Sequence, residues 1–307
     1  MSYIFLIVGL LILLVGGKIL VDGASAIAAR LGLSAGLIGL TVVAFGTSAP
    51  ELLVSITAAL KGTSDIAIGN VVGSNISNIT LVLGTTALIY PVLITRSILK
   101  LDYTFTLITT VIFFLLSWNG LISLTEGIVL VILLIAVNFY FFKKIERIEF
   151  DEDDATRLQR KSPIFAVTMI LIGITGLYFG SELFVDNGVL IAETLGISER
   201  IIGVTVIAIG TSLPELATSV MAAIKKETDI AIGNILGSNI MNVLCIVGIT
   251  AIVKPIQVSE LFIYSDYLWM IGFTLLIFPL MRINWNISRI SGVILLAGYG
   301  VYLYLLL

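Results

Sequence analysis

Histidine is absent from the 307 residues and cysteine occurs once. The first absence removes the usual neutral-pH general base and the commonest transition-metal ligand, which weighs against an enzyme. The lone cysteine, Cys245, sits inside an apolar stretch, allows no intrachain disulfide and reads as packing. Charge is scarce as well. Only 12% of residues carry it and the net charge is −3, so there is no basic strip of the kind nucleic acid requires. What the chain has is apolar surface: 58% of its residues are hydrophobic and the mean hydropathy is +1.13, a balance no ordinary soluble domain shows. The bilayer is the expected solvent. Met1 to Leu14 lack the positive start of a cleavable signal, and their apolar run continues well past one, so this segment reads as a retained first span.

A span needs about 20 predominantly apolar residues. Ten such stretches are expected, at 3–29, 35–60, 66–90, 103–118, 121–142, 163–192, 199–224, 230–253, 262–281 and 287–307. The expected fold is an all-α integral membrane protein. Its only strongly polar segment runs from Lys143 to Ser162 and separates residues 1–142 from residues 163–307, five spans on each side.

These two parts resemble each other. Gly39-Leu-Thr-Val-Val-Ala-Phe-Gly-Thr-Ser-Ala-Pro-Glu51 recurs as Gly203-Val-Thr-Val-Ile-Ala-Ile-Gly-Thr-Ser-Leu-Pro-Glu215, displaced by 164 positions. The same displacement carries Asp65-Ile-Ala-Ile-Gly-Asn-Val-Val-Gly-Ser-Asn-Ile-Ser-Asn78 onto Asp229-Ile-Ala-Ile-Gly-Asn-Ile-Leu-Gly-Ser-Asn-Ile-Met-Asn242, with no gap. A unit of five spans is odd, so its second copy must enter the membrane from the opposite side; inverted repeats of this kind are a common transporter architecture. Orientation follows from Lys and Arg, which stay on the cytoplasmic side of short loops. One set of loops holds thirteen of them, including Arg96, Lys100, Lys143, Lys225, Lys226 and Arg282, and the other set holds Lys61, Arg200 and Lys254. Both termini are therefore expected outside and the central loop in the cytoplasm.

Six charges, Lys18, Asp22, Glu51, Glu182, Asp186 and Glu215, fall within or at the edges of the apolar stretches. A carboxylate at membrane depth costs about 2.5–3.5 kcal/mol on insertion scales, and Glu51 and Glu215 are the deepest of the six. Each follows a proline, which removes a backbone donor and clashes with the carbonyl four residues earlier. The helix should break there, freeing carbonyl oxygens around Ala44 to Thr47 and Ala208 to Thr211 to face a cavity. Thr47, Ser48, Glu51 and Ser55 share one helix side, as do Thr211, Ser212, Glu215 and Ser219. Asn70, Ser74 and Asn78 form a second stripe, repeated by Asn234, Ser238 and Asn242. Such a set offers oxygen ligands only, which suits Ca²⁺ and Na⁺ and disfavours zinc or copper. Glycines 46, 69, 73 and 84, with partners at 210, 233, 237 and 248, should let the two halves pack closely.

The paired Gly-Thr-Ser-x-Pro-Glu segments, each followed by Gly-Asn-x-x-Gly-Ser-Asn-Ile-x-Asn, resemble the α-repeats of the calcium/cation antiporter superfamily, within it the sodium/calcium exchangers. The pattern covers essentially the whole chain. The resemblance implies an antiporter that passes Na⁺ one way and Ca²⁺ the other by alternating access, electrogenic at three Na⁺ per Ca²⁺, with no cofactor and no protein partner. It implies that Glu51 and Glu215 serve both ions and that the main-chain oxygens of Thr47 and Thr211 complete the calcium site. Ser74, Ser212 and the carbonyl of Ala208 form one flanking sodium site in this reading; Ser48, Ser238 and the carbonyl of Ala44 form the other. Asn78 and Asn242 line the centre. Some relatives, potassium-dependent ones included, carry Asp in place of Asn242, so potassium dependence is not expected here. A proton/calcium exchanger using the same glutamates is the alternative within transport, and a cation channel the alternative outside it.

Plainer roles are expected elsewhere. Asn70 and Asn234 read as links between helices, Asp65 and Asp229 as helix caps, and the pairs Lys18/Asp22 and Glu182/Asp186 as interfacial anchors. The run Asp151 to Asp154 lacks the glycine and spacing of a calcium loop and reads as a solvated loop.

Overall fold

In hydrocarbon a chain must satisfy its peptide groups internally, and apolar stretches of this length do so as helices. The computed structural model describes residues 1–143, 162–195 and 208–306. Among these, eight helices are long and apolar enough to cross a membrane, or nine if a bent pair is one span. In chain order they are α1 (Ser2–Leu31), the bent pair α2 (Ala35–Thr47) and α3 (Ala49–Lys61), α4 (Ser64–Ile89) and α5 (Ile98–Ser117). There follow α6 (Leu124–Lys143), α7 (Pro163–Thr194) and, too short to count among the eight, α8 (Ala208–Thr211) and α9 (Leu213–Ile224). The last three are α10 (Thr228–Val253), α11 (Phe262–Arg282) and α12 (Arg289–Leu306). The protein is thus a multi-pass, all-helical membrane protein. The expected span 199–224 lies partly outside the described residues, and its remainder is α8 and α9. The run Asp151 to Asp154 lies wholly outside them.

Two local features depart from plain α-helix. Val92 and Leu93 pair with Ile287 and Asn286, and Leu121 and Ile122 pair with Gln257 and Ile256, as two-residue antiparallel ladders. Each joins connections from opposite halves of the chain, where the peptide groups that leave the helix ends bond to one another. Among the described residues five segments are π-helical, including Asn78–Val82 in α4 and Asn242–Val247 in α10. The i→i+5 bond of such a turn takes in one extra residue and re-aims the side chains after it.

The core lies around α4 and α10. Of their most apolar stretches 72% and 89% of residues are buried, against 22% for α6. Around this centre α1 and α7 run antiparallel in close contact. A Cβ on Gly9 would meet the backbone of Phe184 at 2.7 Å, one on Gly16 that of Leu177 at 3.0 Å, and one on Gly23 that of Ala166 at 2.9 Å. The seven-residue spacing of these glycines keeps one seam against the partner helix. The glycines expected to join the halves do so in part. Gly233 and Gly237 press on the backbone of Gly36 and Leu40 in α2. Gly46 faces Ile174 of α7, Gly69 faces Phe262, Gly84 faces Gly292 and Gly248 faces Gly127, each across the halves, whereas Gly210 faces Val185 of its own half and Gly73 meets nothing within 4 Å.

Candidate functional site

The two breaks are built alike. Ser48 (φ −86°, ψ 4°) separates α2 from α3, and Ser212 (φ −87°, ψ 4°) separates α8 from α9. Pro50 and Pro214 lie in the first turn beyond, so each break begins a new helix with its glutamate in that turn, Glu51 in α3 and Glu215 in α9. Proline is well placed there, and the positive end of the new helix favours the carboxylate.

The carbonyls are less free than the break suggests. The carbonyl of Ala44 accepts the Ser48 N–H at 3.0 Å and the Thr47 hydroxyl at 3.3 Å, because the α-helical turn closes across the serine before proline interrupts it. At the second break the Ser212 N–H bonds to the Ile209 carbonyl at 3.1 Å, a tighter turn. Pro214 denies the carbonyl of Gly210 its helical donor, and the Ser181 hydroxyl of α7 replaces it at 2.8 Å.

Between the breaks the halves meet. The hydroxyl of Ser48 donates to Glu215 Oε1 at 3.0 Å, and Ser238 donates to the same oxygen at 3.4 Å. Thr47 Oγ1 donates to Asn234 Oδ1 at 3.1 Å and lies 3.4 Å from Ser238 Oγ. Thr47, Ser48, Glu215 and Ser238 therefore converge on one flank. On the other, α8 packs on α4, which brings the segment of Ala208, Thr211 and Ser212 beside that of Ser74. Here the hydroxyls of Ser74 and Ser212 and both carboxylate oxygens of Glu51 are buried without a hydrogen-bond partner. Glu51 and Glu215 lie close enough to interact electrostatically.

Eleven buried side-chain atoms among the described residues lack a partner, and seven belong to Glu51, Ser74, Asn78, Ser212, Glu215 and Asn242. Leaving such an atom unpaired costs about 1–3 kcal/mol, so chance burial does not gather seven in one place. All seven are oxygens. A concentration of carboxylate, amide and hydroxyl acceptors with a formal charge of two carboxylates has the chemistry to cage a desolvated cation.

Other side chains hold this cage in shape. Asn70 Nδ2 bonds to Ser55 Oγ at 2.9 Å and the Glu51 carbonyl at 3.1 Å; Asn234 Nδ2 repeats this with Ser219 at 3.0 Å and the Glu215 carbonyl at 3.5 Å. Ser55 and Ser219, which share a helix side with Glu51 and Glu215, are thereby engaged as struts. Asn75 and Asn239 also touch the centre: Asn78 Nδ2 donates to Asn239 Oδ1 at 3.1 Å and Asn242 Nδ2 to Asn75 Oδ1 at 3.0 Å. Sequence reasoning passed over this pair, although both recur in Gly-Ser-Asn at the 164-residue displacement.

Two expectations change. Asp65 and Asp229 do not cap their helices; Thr63 and Glu227 hold the cap positions, and the aspartates sit in the first turn, where the dipole favours them. Asp22 pairs with Lys225 beyond α9, because α1 runs against that turn. Asp102 and Asp266 join the charges found within spans, at the ends of the π-helical starts of α5 and α11, and Tyr302 donates to Asp266 at 2.9 Å.

The sequence model described as sodium/calcium exchanger protein matches residues 1–143 and 165–307. The sodium/calcium exchanger MaX1 of Methanosarcina acetivorans is 34% identical over 99% of this chain and 98% of its own length. CaxA of Alkalimonas amylolytica, which carries an antiporter name, is 38% identical over 99% and 98%. A solved structure of the sodium-calcium exchanger NCX_Mj, soaked with 10 mM Na⁺ and no Ca²⁺, superposes with a TM-score of 0.84 at 32% identity, covering 98% of this chain and 97% of that one.

Proposed function

The chain belongs to the sodium/calcium exchanger family, and from that premise we propose that it is a secondary antiporter exchanging Na⁺ for Ca²⁺ across the cell membrane. The observation that carries this reading is the concentration of partnerless, buried acceptor oxygens from both halves at the two breaks. Dehydrating Ca²⁺ needs formal negative charge and several oxygens at once, and Glu51 with Glu215 supplies the charge. Hydroxyls and amide oxygens suit Na⁺ when it takes the same place.

In this reading Glu51, Glu215 and the main-chain oxygens of Thr47 and Thr211 hold Ca²⁺. Ser74, Ser212 and the Ala208 carbonyl, and on the other flank Ser48, Ser238 and the Ala44 carbonyl, hold Na⁺, with Asn78 and Asn242 at the centre. The bond from Ser48 to Glu215 supports a shared flank. The Ala44 carbonyl would take such a role by giving up the longer of its two bonds, the one from the Thr47 hydroxyl at 3.3 Å. Ten spans form two inverted units, 1–142 and 163–307, joined by the cytoplasmic loop 143–162, with both termini outside. The 164-residue recurrence, the matched breaks and the repeated π-segments support that organisation.

Alternating access needs a unit that moves against the site. The glycine seam makes α1 and α7 one body, and α7 touches both breaks, through Ile174 at Gly46 and through Ser181 and Val185 at Gly210. Sliding of this pair against α2–α4 and α8–α10 would expose the ions to one side and then the other. The test is calcium uptake into proteoliposomes loaded with sodium, potassium or choline at fixed pH. Uptake should require internal sodium. Uptake driven equally by a proton gradient without sodium would replace this reading with proton/calcium exchange.

A further inference from the structure

The asparagines at the centre are aimed by a second pair that touches no ion. Asn78 and Asn242 each present an amide, and an amide has an attractive end and a repulsive end for a cation. Which end faces the site depends on hydrogen bonds, since oxygen and nitrogen are otherwise nearly alike in shape.

The chain of bonds leaves one solution. Asn239 Nδ2 lies 3.2 Å from the main-chain carbonyl of Asn75. A carbonyl accepts only, so the amide nitrogen of Asn239 must face it and the oxygen must point the other way. That oxygen sits 3.1 Å from Asn78 Nδ2, which turns Asn78 so that its own oxygen is left over. On the other side Asn75 Nδ2 lies 3.7 Å from Met270 Sδ of α11. The thioether is an acceptor, which sends Asn75 Oδ1 toward Asn242 Nδ2 at 3.0 Å. Both leftover oxygens, Asn78 Oδ1 and Asn242 Oδ1, are buried with no partner in the protein. Each half therefore orients the amide of the other: position 75 aims 242, and position 239 aims 78. All four residues are essentially inaccessible to solvent, so water cannot take over the task.

We propose that Asn75 and Asn239 are positioning residues that lock the amides of Asn242 and Asn78 with oxygen toward the transported cation and nitrogen away from it. This rests on the reading that these oxygens face Na⁺ and Ca²⁺. Its consequence is a specific form of dependence. Removing Asn75 frees the Asn242 amide to turn its NH₂ group toward the cation, whereas a carboxylate at position 242 has no donor end and makes Asn75 dispensable for aim.

The experiment is a double-mutant cycle in purified protein, with two readouts: half-saturating Ca²⁺ for exchange in proteoliposomes, and half-saturating Ca²⁺ for thermal stabilisation in detergent. Asn75→Ala should raise both by about tenfold, the effect of losing one orienting hydrogen bond. The same substitution in an Asn242→Asp background should shift them by less than about twofold. Asn239→Ala tested with Asn78→Asp forms a parallel cycle and serves if Asn75→Ala does not fold. The proposal is overturned if Asn75→Ala leaves half-saturation unchanged, or if its effect is equally large with Asp at position 242, which is what a purely structural role predicts. Wild-type protein in the same vesicles separates the two readings: absent sodium-dependent flux defeats the exchanger reading, while the thermal titration still reports on the lock.

Discussion

At the scale of single residues, the carboxylates and the partnerless hydroxyls make opposite demands on stability and transport. Glu51 and Glu215 are buried beside each other, and a cation offsets what their desolvation costs. Glu51→Gln or Glu215→Gln keeps the shape and removes the charge, so either should abolish calcium exchange in proteoliposomes while the protein still inserts and remains monodisperse. Ser212 makes a finer test, because its hydroxyl is buried with no partner. Ser212→Ala removes an unsatisfied group and should leave the unfolding temperature unchanged or raise it, as loss of such a group is worth about 1 kcal/mol, while half-saturating Na⁺ rises several-fold. A fall in thermal stability with Na⁺ dependence intact would make Ser212 a strut. The ligand candidates were legible in the sequence because oxygen-bearing side chains recur in register around a Pro-Glu pair. Asn75 and Asn239 were not, although they recur equally well. They stand one residue off the stripe of Ser74 and Asn78, about 100° around an ideal helix, and only the approach of α4 to α10 gives them a purpose.

At the scale of elements, the helices follow from apolar length, but where they touch does not. Gly237 shows how closely α10 meets α2: a Cβ there would lie 2.3 Å from the Leu40 carbonyl oxygen. Gly237→Ala should therefore lower the unfolding temperature sharply, at an overpacking cost of about 1–3 kcal/mol, while Gly300→Ala, with nothing within 4 Å, should not. Equal melting of both variants would show that the contact yields freely. The turn between α9 and α10 offers a second test. Burial pushes the Glu227 carboxyl above its ordinary value, opposed by the Ser25 hydroxyl bonded to it and by Lys225. A raised value in the folded state means that its protonated form stabilises the fold at low pH, a contribution lost as pH rises through the shifted value. Glu227→Gln should thus gain unfolding temperature over wild type at pH 8 and lose that advantage near pH 4, as read by thermal melts in detergent. The sequence could not announce this cluster. Nothing in the helix of Asp22 shows that Lys225 comes alongside. The π-segments and short strand pairs were equally hidden, since they arise where tertiary contacts strain or join helix ends.

At the scale of the whole molecule, the proposed duplication would fix orientation, and the proposed site would fix charge movement. If each half is a five-span unit, cysteines at Lys61 and Lys226 must be labelled from opposite sides, position 226 from the cytoplasm; the native Cys245 is buried and should add little background. The charge count then sets how exchange responds to voltage. Asn78 and Asn242 are neutral, and with both glutamates held ionised by the positive charge of the bound ions the site carries about −2. One Ca²⁺ brings the loaded site to zero, whereas the three Na⁺ implied by the family resemblance bring it to about +1 by the same count. One net positive charge then crosses in the direction of sodium in each cycle. A potassium diffusion potential, negative inside, should speed sodium entry coupled to calcium exit and slow the reverse mode. Asn242→Asp adds a third carboxylate whose proton competes with the ions, so exchange by that variant should fall more steeply as pH drops than wild-type exchange does. Indifference of wild-type exchange to an imposed potential, at fixed ion gradients, would mean that the two-carboxylate count or the three-sodium stoichiometry is wrong. A direct measure of the Na⁺:Ca²⁺ flux ratio then tells which.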